Sequence, residues 1–230
     1  MARYQTLLFD ADQTLLDFLK SERAALIEAL HTVGVSPTEK MIETYSAINL
    51  SLWKRLERGE ITKAALREER FAEFSRVYGL SVSVPLLADN YMKALTTKSF
   101  LLDGALEVCQ ALSQTCRLYV ITNGIASVQH GRFDNSLLAP LFLDTFISDE
   151  IGAEKPAKAF FDAVFTKIPN FDSKTTLVIG DSLTSDMAGG IAAGLDTCWF
   201  NPEGKPIPAD MPITYTVQRL EDVIPLVLGQ

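Results

Sequence analysis

The chain has 230 residues, 47% hydrophobic and 22% charged, a composition typical of a folded globular protein. Its 29 acidic and 21 basic residues give a net charge of −8, which disfavours a nucleic acid polymer or a membrane as partner. No apolar run approaches the roughly 18 residues of a membrane helix, and no signal peptide is recognisable, so we expect a cytoplasmic protein. Three scattered cysteines and two histidines disfavour a disulfide framework and a multi-histidine metal site.

Short apolar runs that end in polar residues predict the strands of a buried parallel sheet, and helical patterns separate the later runs. This alternation predicts an α/β fold with a Rossmann-like core. The predicted strands are Thr6–Phe9, Leu118–Thr122, Phe146–Ser148, Thr176–Gly180, Thr197–Phe200 and Thr214–Val217, and the predicted helices are Asp103–Gln114, Ser127–Leu137, Ala157–Ile168, Ser185–Ala193 and Leu220–Leu228.

The segment between about Leu16 and Lys98 contains no strand-like run and shows helical spacing throughout. Ser36 as cap, followed by a proline and a glutamate, predicts the start of one helix, and Gly59 predicts its end. We therefore expect an all-helical domain, residues 16–98, inserted into an α/β core domain formed by residues 1–15 and 99–230.

Polar residues follow the predicted strands at their carboxyl ends, where ligands bind in an open parallel sheet. Carboxylates follow the first and fourth strands, a threonine and an asparagine follow the second, and a lysine precedes a later helix. We expect these side chains to converge on one rim of the sheet. They are Asp10, Asp12, Thr122, Asn123, Lys155, Asp181 and Asp186.

Carboxylates that lie close together repel one another, so either some stay protonated or a cation holds them. An oxygen-only ligand set favours a hard cation, and Mg²⁺ is the usual one beside phosphate. A carboxylate at such a site is either a metal ligand or a nucleophile that forms an aspartyl-phosphate. The Thr122 hydroxyl, the Lys155 ammonium and the backbone N–H groups around Asn123 and Gly124 are suitable donors to phosphoryl oxygens.

These elements resemble the motifs of phosphatases of the haloacid dehalogenase superfamily, in matching order and over essentially the whole chain. The matching residues are Asp10-x-Asp12-x-Thr14, Thr122, Lys155 and Gly180-Asp181-x4-Asp186. The helical segment after the first strand resembles the cap of that family's first cap class. An isolated pair of aspartates is most often a solvated turn, so the combination of motifs carries the resemblance.

The resemblance implies a role for each carboxylate of the predicted rim. Asp10 is the expected nucleophile, and Asp12 is the expected general acid and base. Mg²⁺ is expected to bind the Asp10 carboxylate, the Asp12 backbone carbonyl and the Asp181 carboxylate. Asp186 is expected to support this metal site and the catalytic Lys155.

The resemblance also implies that Thr122 and Lys155 bind the phosphoryl group that is transferred. Asn123 is a further candidate for phosphate binding, and the alternative is loop hydrogen bonding. Gln13 departs from the family pattern, which usually has Gly, Asp or Glu there, and this puts the geometry of the turn in question.

A narrower resemblance links the helical segment and the last third of the chain to house-cleaning pyrimidine 5′-nucleotidases. It implies a small phosphorylated metabolite as substrate, namely a pyrimidine nucleoside monophosphate such as UMP, dUMP or dTMP. Asn49 and Trp53 are candidates for contacts to the base, although an aromatic residue at this spacing more often packs between helices. The matching stretches are Ala47-Ile48-Asn49-x-x-Leu52-Trp53, Gly59–Thr62, Ile121–Gly124 and Gly189–Trp199.

Other functions remain open at this stage. One alternative is a phosphatase of the same superfamily for another small metabolite, such as phosphoglycolate or a sugar phosphate. A carbon–halogen hydrolase on the same fold is disfavoured, because Asp12 supplies the acid and base that ester cleavage needs. A catalytically silent phosphometabolite-binding module would be expected to have lost Asp10, Asp12 or Asp181.

Overall fold

The structure, a computed structural model, describes residues 2–229. Six parallel strands form one sheet and confirm the predicted α/β fold. They are β1 (Thr6–Phe9), β2 (Arg117–Thr122), β3 (Asp144–Ile147), β4 (Thr176–Gly180), β5 (Asp196–Phe200) and β6 (Tyr215–Val217). Their order across the sheet is β3-β2-β1-β4-β5-β6, so β1 lies between β2 and β4.

Strand β1 is buried on both faces of the sheet, as its continuous apolar sequence predicts. Successive side chains point to opposite faces. Leu7 and Phe9 therefore pack into the apolar core on one face, and Leu8 packs into the core on the other. The two cores fix the register of β1, and the register fixes where its carboxyl end delivers Asp10.

Strand β3 begins earlier than its sequence predicts. Asp144 and Thr145 pair with Tyr119 and Val120 of β2, although neither lies in the predicted strand Phe146–Ser148. Strand β3 is an edge strand, and its first residues make backbone hydrogen bonds while their side chains stay accessible to solvent. Hydrophobic patterning therefore detects only the buried end of this strand.

The chain divides into two compact units. Phe18–Ser99 forms one, and the rest of the described chain forms the other. The divisions fall close to the boundaries expected after Leu15 and after Lys98. The helices of the first unit are α1 (Phe18–Thr32), α2 (Glu39–Glu57), α3 (Lys63–Tyr78) and α4 (Val84–Leu95), and this unit has no strand among its described residues.

Helix α2 begins after Thr38 and not after Ser36, because the Thr38 hydroxyl accepts the hydrogen bond from the Met41 N–H. The predicted cap at Ser36 is wrong, and the neighbouring proline precedes the helix. Gly59 follows the end of the helix with a φ of 72°, a conformation that glycine adopts without strain, as the sequence predicts.

The helical unit is held together by a buried aromatic cluster. The ring centroid of Tyr45 lies 5.1 Å from that of Phe71, 5.8 Å from that of Phe74 and 5.4 Å from that of Tyr91. All four side chains are fully buried. Because these rings come from α2, α3 and α4, their packing joins the three helices into one core.

The remaining helices cover the sheet unit. Position 189 requires glycine, because a Cβ there would lie 2.4 Å from the Phe161 ring. The predicted helix Ser185–Ala193 starts with a π-helical turn, Leu183–Met187, which carries Asp186. None of the helices in the described chain is long and apolar enough to cross a bilayer. The helices that cover the sheet unit are α5 (Ala105–Ser113), α6 (Ala126–Asp134), α7 (Ser148–Ile151), α8 (Lys158–Lys167), α9 (Ala188–Ala192) and α10 (Val223–Leu228).

The loop after β1 turns back sharply at Gln13, which has a φ of 61°. The N–H of Gln13 donates to the Leu16 carbonyl at 2.8 Å, and the N–H of Leu16 donates to the Ala11 carbonyl at 2.8 Å. A residue with a Cβ is strained in this left-handed region, whereas glycine is not. The unusual glutamine therefore adopts the conformation that a glycine adopts readily.

We expect the Gln13→Gly variant to be more stable than Gln13→Ala by about 1 kcal/mol, because both lose the side chain but only alanine keeps the strained Cβ. The measurement is the free energy of unfolding in urea. Gln110, an exposed glutamine on α5, is the matched control, and there the order should reverse by about 1 kcal/mol in favour of alanine. Equal stability of the two variants at position 13 would contradict the strain.

Candidate active site

The carboxyl ends of β2, β1 and β4 bring the predicted site residues to one rim of the sheet. Thr122 is the last residue of β2, and Asp10 and Asp181 directly follow β1 and β4. The N–H of Asp10 donates to the Ile179 carbonyl at 2.8 Å, which extends the pairing of β1 with β4 by one residue. The loop that follows β1 is therefore anchored at the nucleophile candidate.

Lys155 reaches this rim from the loop before α8 and is 2% exposed. Its ammonium donates to Asp10 Oδ1 at 2.7 Å, to Asp186 Oδ1 at 2.6 Å and to the Ile121 carbonyl at 2.8 Å. An ammonium has three protons to donate, and these contacts use all three. Lys155 therefore connects the ends of β1 and β2 and the turn after β4 through one charge.

The charges of this cluster shift each other's protonation in opposite directions. Burial lowers the pKa of the Lys155 ammonium, but the carboxylates of Asp10 and Asp186 raise it by more, so the group stays charged. Burial raises the pKa of Asp10 well above its usual value, against the lowering effect of Lys155. Asp186 and Asp181 raise the pKa of Asp10 further because they add negative charge.

Asn123 holds the backbone of Lys155 in place. Its side-chain nitrogen Nδ2 donates to the Lys155 carbonyl at 2.8 Å, and its oxygen Oδ1 accepts from the Lys155 N–H at 2.8 Å. The amide of Asn123 is thus used within the protein, in hydrogen bonds to a loop that is 32 residues away in the sequence. A phosphate contact from Asn123 stays a prediction, and its backbone N–H is the group that would donate to the phosphate.

Asp186 is fixed by its own turn. The Ser182 N–H donates to Asp186 Oδ2 at 3.1 Å while Oδ1 accepts from Lys155. A Cβ at position 180 would lie 2.3 Å from Asp186 Oδ2, so only glycine leaves room for this carboxylate. Both oxygens of Asp186 are engaged, which fits its expected supporting role.

Asp10, Asp181 and Asp186 offer carboxylate oxygens that lie within 4.8 Å of one another. Burial and the neighbouring Asp186 raise the pKa of Asp181 from 3.8 to about 7. When all three are ionised, three carboxylates face one ammonium, and the site carries an excess of negative charge. An all-oxygen, negatively charged set fits a hard divalent cation. The part of the Asp12 backbone carbonyl in holding the metal stays a prediction.

Two residues that the sequence motifs do not mark, Gln129 and Arg132, contact Asp12 from helix α6. Gln129 Nε2 donates to Asp12 Oδ2 at 3.0 Å, and Arg132 donates to Asp12 Oδ1. Gln129 Nε2 also donates to the Thr122 hydroxyl at 2.8 Å. Both polar residues stand at helical spacing with the buried Val128 and Phe133, and their position on a buried stripe is the signal that could have identified them.

Asn49 lies inside the helical unit with 2% exposure. Its side-chain nitrogen donates to Glu22 Oε1 at 2.7 Å, and its side-chain oxygen accepts from Arg70 at 3.2 Å. Both polar atoms of the amide therefore serve the packing of α1, α2 and α3. This placement does not favour Asn49 as a contact to a base, whereas Trp53 is half-buried on α2.

The family model of the haloacid dehalogenase-like hydrolases matches residues 4–194. The HAD-hydrolase YfnB of Bacillus subtilis strain 168 is 40% identical, over 97% of this chain and 95% of its own. A crystal structure of YfnB bound to magnesium is similar with a TM-score of 0.92, covering 98% of this chain and 99% of that one. These matches confirm the superfamily resemblance that the motifs predict.

Two further relatives carry a substrate class in their names. The pyrimidine 5′-nucleotidase PynA of Streptococcus pneumoniae is 36% identical, over 96% of this chain and 94% of its own. The pyrimidine 5′-nucleotidase YjjG of Escherichia coli K12 is 31% identical, over 96% of each chain. The narrower resemblance to this branch is confirmed at the level of sequence.

The raised pKa of Asp181 predicts that Mg²⁺ stabilises the protein more strongly at higher pH. Between pH 3.8 and about 7 the folded carboxyl keeps a proton that the unfolded chain has released, so its contribution to stability falls as the pH rises through this window. A bound cation compensates the charge that appears above this window. The increase in Tm caused by excess MgCl₂ should therefore be larger at about pH 8 than at about pH 6.

In the Asp181→Asn variant the Mg²⁺-dependent increase in Tm should disappear at both pH values, because one anionic ligand is lost. Asp162→Asn is the matched control, since Asp162 is an exposed residue of α8 that pairs with Lys158. An increase in Tm that is independent of pH, or unchanged in Asp181→Asn, would contradict a metal site at these carboxylates.

Proposed function

The chain belongs to the haloacid dehalogenase-like hydrolase family, and from this premise we propose that it is a Mg²⁺-dependent phosphomonoesterase acting through Asp10. One observation carries the proposal. The Asp10 carboxylate is held at 2.7 Å by a buried lysine at the rim where Thr122, Asp12 and Asp181 also lie. This arrangement supports the proposal, because it brings candidates for a nucleophile, phosphate donors, an acid and base and a cation site to one rim of the sheet.

In the first step a carboxylate oxygen of Asp10 attacks phosphorus, and the ester P–O bond breaks. The Thr122 hydroxyl donates to a phosphoryl oxygen, and the Lys155 ammonium, whose three protons are bonded within the protein, stabilises the phosphoryl oxygens through its positive charge. The leaving oxygen takes a proton from the Asp12 carboxyl, which releases the alcohol. Bound Mg²⁺ supplies positive charge that offsets the negative charge of the phosphoryl group.

In the second step the phosphate on Asp10 is hydrolysed. Asp12, now a carboxylate, takes a proton from a water molecule whose oxygen attacks phosphorus. The bond between phosphorus and Asp10 breaks, inorganic phosphate leaves, and the Asp10 carboxylate is restored. The same Asp12 side chain acts as acid and then as base, which its partial exposure of 29% permits.

Pyrimidine nucleoside 5′-monophosphates are the substrate class we propose. The support is the identity of 31–36% to two relatives named as pyrimidine 5′-nucleotidases, over nearly the whole chain. The phosphate site itself carries no information about the base. The proposal also places the enzyme in the cytoplasm, where such nucleotides occur.

We expect kcat/KM for UMP, dUMP or dTMP to exceed that for AMP and GMP about tenfold or more, equivalent to about 1.4 kcal/mol of transition-state discrimination. The physical reason is size, since the larger purine ring would clash sterically with the walls of a pocket shaped for a pyrimidine. The measurement is a steady-state panel that also contains phosphoglycolate and hexose phosphates.

Asp10→Asn should abolish turnover in the same panel, because an amide is a poor nucleophile. Asp162→Asn, the same substitution at an exposed residue, is its matched control. Equal rates on AMP and UMP, or a preference for phosphoglycolate, would reject the nucleotidase class and keep the phosphatase. Turnover by Asp10→Asn at a tenth of the wild-type kcat or more would reject Asp10 as the nucleophile.

A further inference from the structure

Helix α6 carries a buried charge that no motif of the sequence explains. Arg132 is fully buried and Gln129 is 3% exposed. A guanidinium in the protein interior costs several kcal/mol unless its charge is paired and its donors are bonded. The charge of Arg132 is paired with the carboxylate of Asp12, which lies in the loop after β1.

The two side chains hold both oxygens of that carboxylate. Arg132 Nη1 bonds Oδ1, and Gln129 Nε2 bonds Oδ2 at 3.0 Å. Gln129 Oε1 in turn accepts from Arg132 Nη1 at 3.2 Å, so the amide is held by the guanidinium. Rotation of the Asp12 side chain would break bonds to two buried groups, and this fixes its orientation.

Gln129 also connects Asp12 to the predicted phosphate site. The second contact of its Nε2 is the Thr122 hydroxyl oxygen at 2.8 Å. Because that oxygen accepts a hydrogen bond from the amide, the hydroxyl proton of Thr122 is left for another acceptor. A phosphoryl oxygen at the end of β2 would be such an acceptor.

The loop after β2 is built around this glutamine. A Cβ at Gly124 would lie 2.2 Å from Cγ of Gln129 and 2.5 Å from its Cδ. Any side chain at position 124 would therefore displace Gln129 from Asp12 and Thr122. The glycine of the Thr122-Asn123-Gly124 turn thus makes room for a side chain at the site, which is an observation independent of the hydrogen bonds.

We propose that Gln129 and Arg132 are positioning residues of the reaction, which orient Asp12 for proton transfer and, through Gln129, orient the Thr122 hydroxyl toward the phosphoryl group. The proposal rests on the proposed phosphatase function. Each carboxylate oxygen has two lone-pair sites. The buried donors occupy one site on each oxygen of Asp12, which leaves one site on each oxygen for exchanging a proton with a leaving oxygen or a water, and the side chain is 29% exposed.

The test compares two substrates that differ in their need for an acid. The alcohol of a nucleoside monophosphate must be protonated as it leaves, whereas an aryl oxide such as p-nitrophenolate leaves without a proton. For both esters kcat/KM reports the steps up to the transfer of the phosphoryl group to Asp10, so the later hydrolysis does not enter.

In Arg132→Met we expect kcat/KM for the best nucleoside monophosphate to fall about 10²-fold, while that for p-nitrophenyl phosphate falls about fivefold or less. In Gln129→Met both esters should lose some activity, because the Thr122 hydroxyl is no longer oriented, but the nucleotide should again lose at least tenfold more than p-nitrophenyl phosphate. Arg132→Lys should recover part of the loss on the nucleotide, because an ammonium can still donate to Asp12. His130→Gln is the matched control, since His130 lies on the same helix but pairs with Glu150 at the surface, and both rates should stay unchanged.

Equal losses on both esters would overturn the proposal, because a disturbed fold affects them alike. If Arg132→Met does not fold, Gln129→Met and Arg132→Lys decide the question with the same pair of substrates. A wild-type enzyme that hydrolyses neither ester would reject the proposed function and this inference together. A wild-type enzyme active on both, with variants that lose no selectivity between them, would reject the inference alone.

Discussion

The Lys155 ammonium lies buried between the carboxylates of Asp10 and Asp186, with its third proton on the Ile121 carbonyl. Removing one partner of a buried pair leaves an uncompensated charge and typically costs about 3–5 kcal/mol. The surrounding structure therefore has to supply both carboxylates at fixed places. The register of β1 supplies Asp10, and the π-helical turn after β4 supplies Asp186, with Gly180 leaving the room it needs.

The same constraint explains how two aspartates of one short loop differ. The Asp10 side chain is 10% exposed and bonded to Lys155, whereas the Asp12 side chain is 29% exposed and bonded to Gln129 and Arg132. In the proposed mechanism the buried carboxylate attacks phosphorus, and the more accessible one exchanges protons. Pairs of carboxylates in unlike environments commonly divide their roles in this way.

The proposed metal site follows from the charge that the lysine does not compensate. With Asp181 added, three carboxylates face one ammonium, and burial, followed by the neighbouring carboxylates, raises the pKa values of Asp10 and Asp181. A hard divalent cation is the counter-charge that such an oxygen set accommodates. In the proposed mechanism the phosphoryl group of a substrate would meet positive charge from two sources, the cation and Lys155.

Much of this architecture is predictable from the sequence, because buried parallel strands are apolar and end in the polar residues that form the site. Asp10, Thr122 and Asp181 stand directly at such ends, and the structure brings them to one rim. Local signals fail where the partner is distant in the chain. The use of the Asn123 amide by Lys155 depends on tertiary hydrogen bonds that no periodicity records.

Helix α6 shows the same limit more sharply. Its spacing predicts which face is buried, but a glutamine and an arginine on that face conflict with the apolar pattern. The contacts of these two residues to Asp12 and Thr122 explain the conflict, and under our proposal function overrides packing at this place. The edge strand β3 is the opposite case, since its exposed residues pair in the sheet without any apolar signal.

The central claim is that Asp10 carries the phosphoryl group during turnover, and acid quenching followed by peptide mass spectrometry tests it most directly. The enzyme is mixed with Mg²⁺ and its best nucleoside monophosphate, quenched during steady-state turnover and digested. The account predicts that the peptide containing Asp10 gains the mass of one phosphoryl group, and that this adduct is absent from Asp10→Asn. Turnover with no adduct at any quench time, or an adduct on another residue, would contradict the account.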